Sequence, residues 1–196
     1  VALDSGEEVS AALLVGADGT RSVVREAAGL RFEGRDYGAK AISAFLEPTI
    51  PHEGAARQVF LKTGPIAALP LRDGRINLVW SAPAPVAEAL LAMSAREFEA
   101  ELSRQAPGFL PGARLAGEGM RAAFPAGVRT AERFHAHRVA LVGDSAHQIH
   151  PLAGQGFNLG LKDIAALSDV IGEALHVGLD IGSEAALEPY TRWRRA

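Results

Sequence analysis

Apolar residues follow two different strand patterns along the chain. Near each end, a short continuous apolar run (residues 12–15 and 139–142) is closed by Gly16 or Gly143, and an aspartate follows within two residues. Continuous runs of this length are typical of strands buried on both faces of a sheet. Between them, residues 37–82 alternate apolar and polar positions with period two, as in an antiparallel sheet. The pattern therefore predicts α/β structure, then an antiparallel sheet, then α/β structure again.

Five segments carry helix signals. Thr20 is expected to cap a helix that runs to Ala28 and ends at Gly29. A short helix is expected over residues 86–92, and a capping box at Ser94–Glu97 opens another that stops at Pro107. A long helix is predicted over 156–176, and a last one begins at Ser183. The apolar stripe expected on the long helix consists of Leu161, Ile164, Ala165, Ile171 and Leu175.

Two further signals concern strands. The sequence Arg72-Asp73-Gly74-Arg75 lies between two apolar runs and predicts a hairpin turn. Met120, Ala122 and Phe124 alternate with polar or small neighbours, which predicts one more strand ending before Pro125.

The element order predicts a mixed α/β fold in two parts. We expect residues 1–35 and 132–196 to form part of a Rossmann-like nucleotide-binding domain. Residues 36–131 would be an inserted antiparallel-sheet domain.

Composition narrows the class of protein. The chain has 196 residues, 48% of them hydrophobic, with a net charge of −3 and no cysteine. A globular domain is expected, while disulfides and thiolate chemistry are excluded. No basic block favours nucleic acid, and no apolar run reaches the ~18 residues that a membrane span needs. Because the chain begins with Val1, we interpret it as a piece of a longer protein.

The segment Gly143–Asn158 carries the strongest chemical signal. Asp144 follows a predicted buried strand, at the sheet edge where α/β proteins bind ligands, and can accept a hydrogen bond from a ligand hydroxyl. Gly154 and Gly156 let the backbone approach a flat ring, and the following helix N-terminus favours negative charge. The alternative is an ordinary strand–turn–helix whose glycines serve packing alone.

A second candidate segment begins at Asp18-Gly19, directly after the first predicted strand. Arg25 lies on the helix that follows. Alone, this segment would be an Asp-Gly turn with a helix cap.

The sequence GDSAHQIHPLAGQGFNLGLKD, which starts at Gly143, resembles the second FAD-binding motif of the class A flavoprotein monooxygenases. Residues 18–25 resemble the Asp-Gly-x-x-Ser-x-x-Arg motif of the same family, which implies that Arg25 binds a phosphate or pairs with Asp18. The resemblance implies that Asp144 binds the FAD ribitol and that Pro151–Gly156 lies against the flavin ring. The cofactor-binding residues expected on this basis are Asp18, Gly19, Arg25, Gly143, Asp144, Pro151, Gly154, Gln155, Gly156 and Asn158. No catalytic side chain and no metal ligand is expected.

The resemblance also implies that residues 36–131 form the substrate-binding domain, and it implies an activity for the whole protein. Such enzymes use NAD(P)H to reduce FAD and then hydroxylate an aromatic ring with O2. The chain is most similar to the ubiquinone-biosynthesis hydroxylases. The similarity lies in the strands around Leu69–Trp80, in the sequence HPLAGQGFNLG, and at Tyr190 and Arg194. A phenolic ubiquinone precursor is therefore the expected substrate, with a soluble phenol or benzoate as the alternative. We expect a cytoplasmic protein, and a prenylated substrate would bring it to the inner membrane surface or to a biosynthetic complex; the oligomeric state stays open.

The family's first unit, a strand followed by Gly-x-Gly-x-x-Gly, is not found in the first thirty residues. We therefore expect this chain, taken alone, to lack the ADP-binding unit, to be nearly colourless and to be inactive. A catalytically silent interaction domain derived from this family is a further alternative.

The histidines and two of the large aromatic residues have structural as well as functional interpretations. His147 and His150 are expected to pack or to hydrogen-bond within their loop, and His135 with His137 to lie on a solvated turn. Trp80 and Phe45 are expected either in a substrate pocket or in the core.

Overall fold

The computed structural model describes residues 1–117, 119–149 and 155–195. The chain folds into two compact units. The first unit combines residues 1–35 with 128–196, and the second consists of residues 36–127. The mixed α/β fold class predicted from the sequence is confirmed.

The described strands are β1 (Leu14–Gly16), β2 (Phe32–Glu47), β3 (Arg57–Leu61), β4 (Gly64–Pro70), β5 (Ile76–Pro83), β6 (Arg114–Leu115), β7 (Arg121–Ala131), β8 (His135–Ala136), β9 (Val139–Leu141) and β10 (His147–Gln148). The described helices are α1 (Val23–Ala27), α2 (Ala84–Ala92), α3 (Ala95–Gln105), α4 (Gln155–His176) and α5 (Glu184–Arg195), with a 3-10 turn at Gly143–Ser145. None of these helices is long and apolar enough to cross a membrane.

In the first unit, β1 pairs in parallel with β9, and β9 pairs antiparallel with β8. Helices α4 and α5 pack together beside these strands. Tyr190 on α5 is completely buried and donates a hydrogen bond to the Leu141 carbonyl at 2.6 Å, which fastens α5 to the end of β9. The core of this unit includes Leu141 and Val142 at the end of β9 together with Leu187 and Tyr190 of α5.

In the second unit, β2, β5, β4 and β3 form an antiparallel sheet in that order. The predicted hairpin at residues 72–75 is confirmed and joins β4 to β5, with Gly74 in the left-handed region at φ +86°. Helices α2 and α3 cover one face, where Trp80 packs against Phe98 with ring centroids 5.7 Å apart. Trp80 is thus a core residue, whereas Phe45 lies on the opposite face and is 43% exposed.

Two helix-cap predictions had different outcomes. The capping box of α3 is confirmed: the Ser94 hydroxyl accepts from the Glu97 N–H, and the Glu97 carboxylate accepts from the Ser94 N–H. The cap predicted at Thr20 was wrong, because Ser22 caps α1 and accepts a hydrogen bond from the Arg25 N–H at 2.9 Å. Both residues carry a hydroxyl, so the sequence pattern did not distinguish them.

Two strand predictions need correction. The strand expected to end before Pro125 continues to Ala131, since proline supports extended backbone wherever its missing N–H is not needed by a neighbour. The strand β1 is not buried on both faces, because Val15 is 43% exposed.

The apolar stripe predicted on α4 was wrong at most of its positions, since only Ile171 of the predicted set packs partly buried against the core of this unit. Leu161, Ile164 and Leu175 are 49%, 55% and 62% exposed in the described structure. The buried face of the helix consists of Asp163, Ala166, Leu167, Val170 and Ala174. The predicted face differs from the observed one because a pattern of apolar residues does not include Asp163 among the buried positions.

The prediction of a solvated turn at His135 was wrong as well. Its side chain is completely buried, with Nδ1 2.6 Å from the Thr191 hydroxyl and Nε2 2.8 Å from an Arg133 guanidinium nitrogen. Burial, and then the positive charge of Arg133, lower the pKa of His135 below its ordinary value. The folded protein therefore holds this ring in its neutral form.

This burial predicts a pH-dependent stability. Below about pH 6.5 the unfolded chain binds a proton at His135 that the folded chain resists, so the free energy of unfolding should fall as the pH drops. The contribution of this site is at most about 1.4 kcal/mol per pH unit. Urea unfolding between pH 7.5 and 5.5 should show a shallower pH slope for His135→Gln than for the wild type. The exposed His137 is the control, and equal slopes for His135→Gln and His137→Gln would contradict the prediction.

Candidate functional site

A cavity of about 390 Å3 opens in the first unit where β9 ends and α4 begins. Its walls are small or apolar side chains and one carboxylate, contributed by Ala17, Gly19, Val142, Gly143, Asp144, Gly156, Phe157, Gly160, Leu161 and Ile164. The cavity therefore lies at the carboxyl end of the parallel β1–β9 pair, the edge at which open α/β sheets bind ligands.

Asp144 is the charged group of this cavity. It lies in the 3-10 turn after β9, is exposed, and forms no hydrogen bond or ion pair with any residue in the described ranges. The backbone turns sharply just before it, since Gly143 has φ +61°, a conformation that favours glycine. A carboxylate presented in this way can accept hydrogen bonds from a hydroxylated ligand.

Glycines on α4 bring the helix close to this turn. A Cβ atom on Gly160 would lie 3.4 Å from the Gly143 Cα, and one on Gly156 would lie 3.9 Å from the Asp144 carboxylate. Larger side chains at these two positions would separate helix and turn or fill the space beside Asp144. The glycines therefore serve close packing and also keep the cavity open.

Asp163 on α4 connects the turn that carries Asp144 to helix α5. Its completely buried carboxylate accepts from the Gly143 N–H at 2.9 Å and from Arg194 Nε at 2.7 Å, and lies 2.6 Å from His147 Nε2. The His147 ring also stacks on Phe134, with centroids 5.1 Å apart. His147 therefore packs against Phe134, one of the two predicted alternatives, and its hydrogen-bond partner is Asp163 on α4 instead of a residue of its own loop.

The electrostatics of Asp163 follow from this set of donors. Burial alone would raise its pKa, but hydrogen bonds from His147, Arg194 and the Gly143 N–H outweigh burial and lower the pKa. Asp163 is therefore ionised at neutral pH, and its charge fixes the positions of three groups around the turn.

The Asp18 segment forms a separate hydrogen-bonded turn. Asp18 accepts from the Ser22 hydroxyl at 2.6 Å and from the Val24 N–H at 3.2 Å. Burial raises the pKa of Asp18, and these hydrogen bonds lower it to a net value below the ordinary one. Its negative charge is therefore directed at the first turn of α1, where the helix dipole favours it.

Arg25 is buried and connects the two candidate segments. Its guanidinium donates to the carbonyls of Thr20 at 2.8 Å and Ser145 at 3.0 Å, and lies 4.0 Å from the Phe32 ring centroid. The donors thus engage backbone carbonyls rather than Asp18. Arg25 therefore holds the loop after β1 against the turn that carries Asp144; a phosphate contact by this residue stays a prediction.

The cavity brings together four of the residues predicted from sequence: Gly19, Gly143, Asp144 and Gly156. Asp18, Arg25, Gln155 and Asn158 do not line it, while Pro151 and Gly154, like His150, lie outside the described residues. Sequence reasoning missed Gly160 and Asp163. Gly160 and Asp163 lie on the same face of α4 as Gly156, because successive members of this set are four and three residues apart. This spacing is the sequence signal that could have identified them.

The chain belongs to the FAD binding domain family, whose model matches residues 2–196. It is 42% identical over 193 residues to the ubiquinone hydroxylase UbiL of Rhodospirillum rubrum, covering 98% of this chain and 44% of that protein. It is also 38% identical over 218 residues to the mitochondrial ubiquinone biosynthesis monooxygenase COQ6 of Danio rerio, covering 93% of this chain and 44% of the relative. The chain thus spans less than half the length of these curated relatives.

Solved structures of similar fold include PqsL of Pseudomonas aeruginosa in complex with 2-aminobenzoylacetate. It superposes with a TM-score of 0.77 at 26% identity, covering 97% of this chain and 53% of that one. The anhydrotetracycline hydroxylase OxyS of Streptomyces rimosus gives a TM-score of 0.67 at 27% identity, covering 99% of this chain and 38% of that one. The predicted resemblance to FAD-dependent aromatic monooxygenases is therefore confirmed.

Proposed function

We propose that the first unit binds the ribitol and ring part of FAD, and that the full-length protein hydroxylates a phenolic precursor of ubiquinone. The observation that carries the proposal is the carboxylate of Asp144, which is free of protein partners among the described residues and faces a cavity at the carboxyl end of β9. A polyhydroxylated chain such as ribitol offers the donors that this carboxylate lacks.

The residues present fit an FAD group at this cavity. Gly156 and Gly160 leave open the space beside Asp144 that side chains would fill, and Phe157, Leu161 and Ile164 offer exposed apolar surface to a flat ring. When bound, FAD would supply the oxidation–reduction chemistry and the activation of O2. The chain's own contribution is to bind and orient: Asp144 accepts the hydroxyls, while Arg25 and Asp163 hold its turn in place.

The choice of substrate rests on the relatives. UbiL is described as a ubiquinone hydroxylase and COQ6 as a ubiquinone biosynthesis monooxygenase, and both match nearly the whole of this chain. NAD(P)H is the reductant we propose, as in the family that the sequence resembles. A precursor with a prenyl tail would bring the protein to a membrane surface or to a complex that presents the substrate.

The second unit is proposed to supply a surface for the substrate ring. Its sheet carries Phe45, Leu69, Asn77 and Val79 together on the face opposite Trp80. The Ser43 hydroxyl donates to the Asn77 side-chain oxygen at 3.0 Å, so that the Asn77 amide nitrogen keeps its own donors. Apolar side chains around one fixed amide suit a phenol, which has an apolar ring and one polar atom.

A hydroxylase of a soluble aromatic acid is the second candidate. It is favoured by the fold shared with PqsL, whose structure contains 2-aminobenzoylacetate. The two candidates differ in the tail of the substrate, so one assay distinguishes them.

The assay uses the full-length protein with FAD, NADH or NADPH, 18O2 and a panel of prenylated and unprenylated phenols and benzoates. We expect a prenylated phenol to stimulate NAD(P)H oxidation and to give a product with one added 18O atom, identified by mass. Hydroxylation of unprenylated acids alone would favour the second candidate. If NAD(P)H is not oxidised with any compound, although FAD is bound, the enzymatic proposal is wrong and a silent interaction domain is favoured.

A further inference from the structure

The second unit contains a cavity of about 190 Å3 that the proposed function does not use. It lies at one end of the sheet, between the loop after β2 and the loop after α3, and its floor includes Ala68, Ile76 and Ala113 of the apolar core. Ala68 lies directly opposite Leu78 across the strands, so the cavity opens on the helix-covered face of the sheet. It is therefore separate from the face that carries Phe45 and Asn77.

Three side-chain hydrogen bonds hold the loops that form this cavity. The Thr49 hydroxyl donates to the Gly112 carbonyl at 2.8 Å and joins the two loops directly. His52 Nδ1 accepts from the Gly54 N–H at 3.0 Å, so its Nε2–H donates to the Leu71 carbonyl at 3.1 Å. The walls are thus fixed by contacts within the chain, and the polar atoms that fix them are already occupied.

The charge of the cavity comes from Arg57. This residue lies opposite Ala68 in the β3–β4 register and lines the cavity together with the apolar side chains Ile50, Phe109 and Leu110. The Arg57 side chain is exposed, and its guanidinium forms no hydrogen bond or ion pair with any part of the chain that the structure describes. An unpaired cation beside an apolar hollow is complementary to a ligand with an apolar body and one anionic group.

The volume restricts the size of that body. An engineered protein cavity of about 150 Å3 takes up one benzene ring. A cavity of about 190 Å3 is thus large enough for a single ring with a small substituent and is smaller than the roughly 300 Å3 at which drug-sized sites begin. We propose that this cavity is a second binding site, which takes a single-ring aromatic carboxylate with its carboxylate on Arg57.

The test compares benzoate with benzamide, which has the same shape and no charge. Each compound is titrated into the full chain while the backbone amide signals are followed by 1H–15N NMR. For so small a ligand we expect a dissociation constant on the order of 1 mM for benzoate. The shifts should map to residues around the cavity, such as Ala68, Ile76 and Phe109, and benzamide should bind about tenfold more weakly.

Variants separate the charge from the cavity. Arg57→Gln should weaken benzoate binding about tenfold without changing the binding of benzamide. Arg96→Gln, an exposed arginine on α3 outside the cavity, is the matched control and should change neither. Ala68→Val should block both ligands by filling the floor; if that variant does not fold, the Arg57→Gln comparison and the benzamide comparison decide alone.

Three results would overturn the proposal. The first is the absence of saturable shifts around the cavity at about 10 mM benzoate, ten times the expected constant. The second is equal binding of benzoate and benzamide, or unchanged binding of benzoate to Arg57→Gln. The third is a set of shifts confined to the opposite face of the sheet, at Phe45 and Asn77.

Discussion

Replacing Asp163 with alanine should lower the free energy of unfolding by about 3–5 kcal/mol at neutral pH. The substitution removes a completely buried carboxylate but leaves its donors in place. The Arg194 guanidinium, whose side chain is 14% exposed, would lose its partner, and the Gly143 N–H would lose its acceptor. Breaking one side of a buried ion pair is costly because the remaining charge stays buried.

Two further variants make this prediction specific. Asp163→Asn keeps the shape and one acceptor, so its loss should be clearly smaller than that of the alanine variant. Asp169→Ala, at an exposed position of the same helix, should change stability by no more than about 0.5 kcal/mol. Urea unfolding at pH 7 measures the stability of all three variants. A loss below about 1 kcal/mol for Asp163→Ala would show that the hydrogen bonds and ion pairs of Asp163 contribute little to stability.

The pH dependence of this effect has a definite sign. Because the pKa of Asp163 is lowered in the folded state, its stabilisation is present above the ordinary aspartate pKa of about 3.9 and is lost as the pH falls through the lower folded value. The difference in stability between the wild type and Asp163→Asn should therefore narrow below about pH 4.

Replacing Gly34 with alanine should destabilise the first unit by about 2–3 kcal/mol. Gly34 lies in β2, and a Cβ atom built on it would overlap the Val128 carbonyl oxygen and lie 2.6 Å from the Arg129 Cα. These are backbone atoms, so the overlap cannot be relieved by a side-chain rotation. The two strand segments would have to move apart.

Gly172 on α4 is the matched control for that substitution. A Cβ atom there meets no atom within 4 Å, and the residue lies inside a helix. Gly172→Ala should therefore stabilise the chain by about 0.5–1 kcal/mol, because alanine favours helix more than glycine does. Thermal unfolding of both variants tests the pair, and a neutral Gly34→Ala would show that the strands can separate at little cost.

Local signals in the sequence were sufficient for much of the fold. The hairpin at Asp73-Gly74 and the capping box at Ser94 depend on neighbouring residues alone, and both are present as predicted. The cap of α1 was assigned to Thr20 instead of Ser22, because what decides between two hydroxyls is the path of the backbone. The end of β7 was missed because proline limits a strand only where its N–H is required.

Predictions that needed tertiary partners failed for a common reason. The buried face of α4 could not be read from apolar residues alone, since it contains Asp163, and Leu161 and Ile164 are exposed. An aspartate is buried here because two side chains and one backbone N–H from distant positions compensate its charge. His135 was misplaced in the same way, since its partner Thr191 is 56 residues away.

Equilibrium binding of FAD by the full-length protein and by its Asp144 variants tests the central claim most directly. If Asp144 accepts the ribitol hydroxyls, Asp144→Ala should weaken FAD binding by roughly ten- to a hundredfold, the value of one or two hydrogen bonds to a charged acceptor. The affinity of Asp144→Asn for FAD should lie between that of the wild type and that of Asp144→Ala. Asp169→Ala should bind FAD as tightly as the wild type does. If Asp144→Ala, folded as judged by circular dichroism, binds FAD with unchanged affinity, the cavity at the end of β9 is not the ribitol site.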